Sequence, residues 1–295
     1  MTLHTDANDF PAHFTVLAFF LTERFFFPRQ IYSNMQKQLL LLFVTLITFG
    51  TLNAQTIKET KTLNAADQEI IKLSQQILNY NQTGNPDDNS LSAWNDQLSA
   101  KILEYGLKNP AFMQQNFPLW RNNGIELVSS ADKNIRIVSW NAQTGGTLRD
   151  YTTLIFWKGT TGLKGKVVDY LENSSVAQIK AFKKADGTTF YLLRGMVHAS
   201  NRDKVDFIQG LQLKGNVLNN KYEAFKTPKK KLAEISVELD MGSVTSDNDF
   251  IHFSKDNKTL LIPVANDKQE IKKNYFLIYQ FDGNDFVFQK TGYFK

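Results

Sequence analysis

From Ile125 onward the chain alternates short β-branched and aromatic runs with turn signals, and no feature limits its fold more. The densest example is Ile125 to Lys158, IELVSSADKNIRIVSWNAQTGGTLRDYTTLIFWK. Glu126–Val128 and Ile135–Trp140 read as strands joined by the turn Ala131-Asp132-Lys133-Asn134. Ile135, Ile137 and Ser139 point one way, and Arg136, Val138 and Trp140 the other. Both faces carry apolar groups, so this strand is expected inside a sheet or covered on both sides. Gln143-Thr144-Gly145-Gly146 is a second reversal, whose paired glycines supply the positive φ that a tight turn needs. Tyr151–Trp157 follows as a third strand. Three such strands in sequence make an antiparallel meander.

The pattern continues to the end. Gly159 to Gly165 reads as a glycine-rich turn. Val167–Leu171, Val176–Phe182, Thr188–Leu193, Met196–Ala199, Val205–Leu213 and Tyr222–Phe225 read as strands. Phe250–Phe253, Thr259–Val264, Tyr275–Gln280 and Asp285–Lys290 predict a four-stranded antiparallel meander, with Pro263 placing its strand at an edge there. Upstream the period changes. Ile70, Leu73, Ile77 and Tyr80 recur at helical spacing over 64–81, with Asn64 as cap. Gln82–Asn89 reads as a loop. Leu91, Trp94, Leu98, Ile102 and Tyr105 form the stripe of a second helix over 90–107, which Asn109-Pro110 stops. A short helical turn is expected over Ala111–Asn116. Helices followed by consecutive strands predict an α+β fold, N-terminal helices and then antiparallel β-sheet meanders. A single domain is expected over 64–295, with a helical part (64–123) and a β part (124–295). A partial β-propeller-like array or a β-sandwich is the alternative. A full propeller lacks its fixed repeat period here.

The start of the chain is of another kind. Phe10 to Phe27 is aromatic-rich but broken by Pro11, His13, Glu23 and Arg24, too interrupted for a spanning helix. At Met35 the parts of a secretory signal peptide begin: Lys37, the apolar run Leu39–Phe49, then small residues ending at Ala54. That apolar run is about eleven residues, roughly 16 Å as a helix, against a bilayer core of about 30 Å. Cleavage after Ala54 is therefore expected, with 35–54 the signal peptide, 55–63 a flexible leader, and 1–34 an upstream translation artefact. An uncleaved anchor helix is the rival reading. The mature chain is expected in the periplasm or outside the cell, without stable membrane integration.

The segments ADKNIRIVSWNAQTGGT, HFSKDNKTLLIPV and YFLIYQFDGNDF, with a leader ending in LNAQ, are similar to uncharacterised secreted proteins of Bacteroidota. The resemblance implies export and a β-rich body, and carries over no functional residue.

Chemistry is bounded mainly by exclusion. The chain has no cysteine, so disulfides, thiolate nucleophiles and Cys-based metal sites are ruled out. Past the leader only His198 and His252 remain, and no HExxH, GxSxG or EF-hand pattern occurs. Gly145-Gly146 lacks the surroundings of a phosphate loop. The net charge of +5 is mildly basic. Its strongest run, Thr227-Pro228-Lys229-Lys230-Lys231, reads as a solvated loop, so no nucleic-acid partner is expected. No cofactor or metal is expected. Trp140, Asn141, Arg149, Asp150 and Tyr151, flanking the Gly145-Gly146 turn, form the candidate ligand surface, a mix suited to a sugar or peptide. The competing reading makes Trp140 core and leaves Arg149 and Asp150 solvated. Two functions follow: a non-enzymatic secreted or periplasmic protein binding a glycan, peptide or protein partner, or a carboxylate-dependent hydrolase of saccharides or phosphoesters.

Overall fold

The computed structural model describes residues 65–80, 88–144, 149–168, 171, 173–200 and 202–294. The leader, the Asn64 cap, most of the 82–89 loop and the Gly145-Gly146 pair lie outside these residues.

The architecture is α+β. Among the described residues three helices precede the sheets: α1 over 65–78, α2 over Asp88–Lys108 and α3 over Pro118–Asn122. Ile70, Leu73 and Ile77 of α1 and Leu91, Leu98, Ile102 and Tyr105 of α2 are buried in one core, as their spacing dictates. α1 is tied down by polar contacts as well. Trp120 Nε1 donates to Asp67 Oδ1 at 2.9 Å, and Gln75 Nε2 donates to Asn123 Oδ1 at 2.8 Å. The helical turn expected over 111–116 is only a turn. The helix forms later, because Pro118 stands at its first position, where the missing N–H costs nothing.

The first sheet has the order β1 (Glu126–Ser129), β2 (Ile135–Asn141), β3 (Tyr151–Gly159), β4 (Gly162–Val167). β2 is buried on both faces. Val138, Trp140, Leu154 and Phe156 meet the helices, whereas Ile135, Ile137, Ile155 and Trp157 face the second sheet. The glycine-rich stretch after β3 is not a long turn. Gly159 pairs with Gly162 across a two-residue reversal, and the chain returns as β4. Gly165 of β4 and Gly106 of α2 leave room for the Phe156 ring. A Cβ on either would lie 2.7 or 2.5 Å from it. Arg136 is also buried here. It donates to Ser129 Oγ, to the Met113 carbonyl and to the Phe112 carbonyl, and lies against the Phe112 ring. Burial first, and then Arg121, pulls its pKa down to about 10, so it stays charged at neutral pH.

The second sheet has the order β11 (Glu234–Asp240), β7 (Asp203–Lys214), β6 (Thr189–His198), β5 (Ser174–Lys183), with β8 (Val217–Asn219) paired to β7. Gly195 does not divide the expected strands at Met196. β6 runs unbroken through it, because a glycine fits where a Cβ would strike the Ser175 carbonyl. β11 lies in a stretch read without a strand. The third sheet has the order β10 (Lys231–Leu232), β9 (Phe225–Lys226), β15 (Phe286–Tyr293), β14 (Ile271–Phe281), β13 (Thr259–Ala265), β12 (His252–Phe253). Its last four strands are the expected antiparallel meander. Pro263 stands beyond the short β12 pairing, at a locally open edge. β15 pairs with β9 in parallel. Phe190, Leu192 and Ile208 of the second sheet pack on Leu260, Ile262, Tyr279 and Phe286 of the third. Four layers result: helices, then three sheets face on face. Each fully buried Leu, Ile or Phe contributes roughly 1.5–3 kcal/mol.

Candidate functional site

The cleft nearest the central turn lies between α2 and the ends of β3 and β4, with a volume of about 300 Å³. Its helical wall is Ser92, Asn95 and Asp96. Its sheet wall includes Thr144, Asp150, Tyr151, Thr152 and Thr153.

The wall is built from inside outward. Trp140 is 2% exposed and belongs to the core. Its indole Nε1 donates to Asn95 Oδ1 at 2.8 Å. Asn95 Nδ2 donates in turn to the Leu91 and Ala142 carbonyls, at 2.9 and 3.0 Å. One buried amide therefore couples α2 to the end of β2, and its orientation is fixed by three partners. The turn is closed by the Ala142 N–H donating to the Asp150 carbonyl at 2.6 Å. Thr144 Oγ1 donates to Asp150 Oδ2, which holds that carboxylate against the turn. Thr153 is the unusual member. It is 1% exposed, it lines the cleft, and its hydroxyl has no hydrogen-bond partner among the described residues.

Of the five residues expected from sequence, Asp150 and Tyr151 line this cleft, and Trp140 supports it from below. Asn141 turns back, accepting from the Gln143 N–H at 3.0 Å. Arg149 is exposed, and its charge acts on Glu126, His198 and Lys204. Tyr151 stacks on His198, with ring centroids 5.4 Å apart. His198 Nε2 lies 2.9 Å from Ser175 Oγ. Burial, then Lys204 and Arg149, push the imidazole pKa down to about 4. Ser200 and Asp203, close to His198 in sequence, bond each other at 2.9 Å in a turn.

Ser92, Asn95, Asp96, Thr144, Thr152 and Thr153 were not singled out from sequence. Two of them carried a signal. Asn95 interrupts the apolar stripe of α2 between Leu91 and Leu98, and Thr153 interrupts the inward row Tyr151, Ile155, Trp157. A polar residue in a buried row must find a partner, and such rows point to where two elements or a ligand meet. Among the described residues no group of three His, Cys, Asp or Glu side chains stands close enough to hold a metal ion. Asp67 and Asp206, which burial pushes above the usual carboxylate range, lie outside the cleft.

No family model matches this chain, and neither does any curated protein or solved structure.

Proposed function

We propose that the protein is an exported, non-catalytic binding protein whose α2–β3 cleft takes a short glycan. The observation that carries this reading is Thr153, a residue of the cleft wall whose buried hydroxyl has no hydrogen-bond partner among the described residues. The cleft is also lined by the hydroxyl-bearing Ser92, Thr144, Tyr151 and Thr152 and by the acids Asp96 and Asp150. Neutral donors and acceptors beside carboxylates suit the hydroxyl groups of a sugar, and the volume fits a small ligand. Asp96 and Asp150 on opposing walls favour, as second reading, a carboxylate-dependent hydrolase.

A glycan array and a broad hydrolase screen on residues 55–295 separate the two. Binding without turnover supports the first reading, and product release abolished by Asp96→Asn or Asp150→Asn supports the second. Thr153→Val tests the site itself. It removes a hydroxyl whose unpartnered burial costs about 1–3 kcal/mol, so the free protein should gain up to about 1 kcal/mol. Affinity for the captured glycan should fall about five- to tenfold. Unchanged affinity would sink the cleft as the site. Export is tested by N-terminal sequencing from the native host. A chain starting at Gln55 supports it, and one intact from Met1 or retained in membranes after alkaline wash refutes it.

A further inference from the structure

A second hollow, about 390 Å³, shares no residue with the α2–β3 cleft. Four lysines line it: Lys184, Lys214, Lys221 and Lys231. They come from distant stretches, and the fold explains their convergence. Phe190 pairs with Gln212 across β6 and β7, and Lys184, just after β5, donates its N–H to the Thr188 carbonyl just before β6, so it flanks the same strand ends as Lys214. Lys221 is set by a close crossing. The Tyr222 N–H donates to the Gly210 carbonyl at 3.1 Å, and a Cβ at Gly210 would lie 2.1 Å from the Tyr222 carbonyl. Only a glycine on β7 admits that segment, which then delivers Lys221 and Tyr222 to the rim. Lys231 arrives on β10, the end of the lysine run read as a solvated loop.

The charges are poorly matched within the protein. Lys231 bonds Asp285 at 2.7 Å, and Lys184 reaches Asp186 only at 3.8 Å. Lys214 and Lys221 have no carboxylate partner among the described residues. Glu223 is the one acid in the lining. Against these charges lies Gln212, 7% exposed, whose side-chain amide makes no hydrogen bond among the described residues. With no partner among them, that amide is free to bond whatever enters the hollow. The Tyr222 ring, packed 5.2 Å from Phe190, adds an aromatic edge.

We infer that this hollow binds a small sugar carrying a phosphate or sulfate group. The lysines hold the tetrahedral oxyanion, and Gln212 with Tyr222 holds the sugar. The volume lies in the range of about 300–1,000 Å³ for small-molecule pockets, and the partnerless lysines give charge-assisted bonds to an anion. The test is calorimetric titration of the full-length chain with glucose 6-phosphate, glucose 6-sulfate, glucose and inorganic phosphate. One or both esters should bind, their ratio naming the oxyanion, with affinity falling as salt rises, and glucose should not bind. The double variant Lys214→Gln/Lys221→Gln should lose about ten- to a hundredfold in ester affinity. Both lysines are exposed, so folding is untouched. Gln212→Leu should weaken the esters about five- to tenfold and leave inorganic phosphate unchanged. Asp150→Asn should change none of these values. Unchanged ester affinity in the lysine double variant, glucose binding as tightly as its esters, or no binding of either ester at millimolar concentration would each overturn the inference.

Discussion

His198 is held neutral by burial first, and then by its neighbours. Tyr151 covers one face of its ring, Ser175 bonds its Nε2, and Lys204 and Arg149 add positive charge nearby. Its pKa falls from 6.5 to about 4. Above pH 6.5 both the folded and unfolded chains carry a neutral imidazole, and the packed ring contributes in full. As pH falls from 6.5 to 4 the unfolded chain gains a proton that the folded chain refuses, so stability drops across that window. His198→Gln keeps a hydrogen-bonding group toward Ser175 and removes the titration. Urea midpoints at pH 7 and pH 4.5 should differ less in this variant than in the parent, and an equal difference would sink the account. Residues such as this show how far the sequence reaches. The alternation of β2 correctly put Arg136 on the same face as Val138 and Trp140. That the guanidinium stays buried depends on the Phe112 and Met113 carbonyls, which come from a turn more than twenty residues away. The same limit hid most of the cleft. Asp150 and Tyr151 were legible from the turn chemistry beside them, whereas Ser92, Asn95 and Asp96 join them only through tertiary packing.

At the scale of elements, α2 and β4 meet over the Phe156 ring, and two opposed effects can be weighed there. Gly106→Ala should gain about 1 kcal/mol of helix propensity. It also drives a methyl group to 2.5 Å from Phe156 Cε1, and overpacking of a filled core costs about 1–3 kcal/mol. Packing should win, with a net loss of about 1–2 kcal/mol in denaturant unfolding, whereas a gain would show that the ring can move aside. Glycine is also where the strand reading erred. Gly162 and Gly165 were read as part of a turn, and Gly195 as part of a break between the strands Thr188–Leu193 and Met196–Ala199. In each case the missing side chain serves a neighbour in another element rather than a local bend, or serves a bend of only two residues. The strand β11 was missed despite its alternation of Ile235, Val237 and Leu239. Its neighbour β7 lies some thirty residues upstream, beyond any local hairpin signal.

At the scale of the molecule, the first sheet and the helices are built from one continuous stretch, whereas the second and third sheets are interlaced. The chain leaves the second sheet after β8, pairs β9 and β10 into the third, returns as β11, and crosses again to β12. In the finished third sheet β15 lies between β9 and β14. A ribosome delivers the chain from its N-terminus, so the strand that must occupy an interior position emerges after every other strand of its sheet. Until Phe286–Tyr293 is available, β9 and β14 each present an open edge, and Phe286 is missing from the core beneath them. Assembly of this half must wait for that strand, while the helices and first sheet can condense earlier in synthesis. Deleting residues 286–295 should reproduce the waiting state. In hydrogen exchange the amides of Ile135–Asn141 should keep their protection and those of Thr259–Ala265 should lose it. Full protection of both would mean that the half-built sheet holds itself together, and that the nascent chain has no vulnerable interval before this strand arrives.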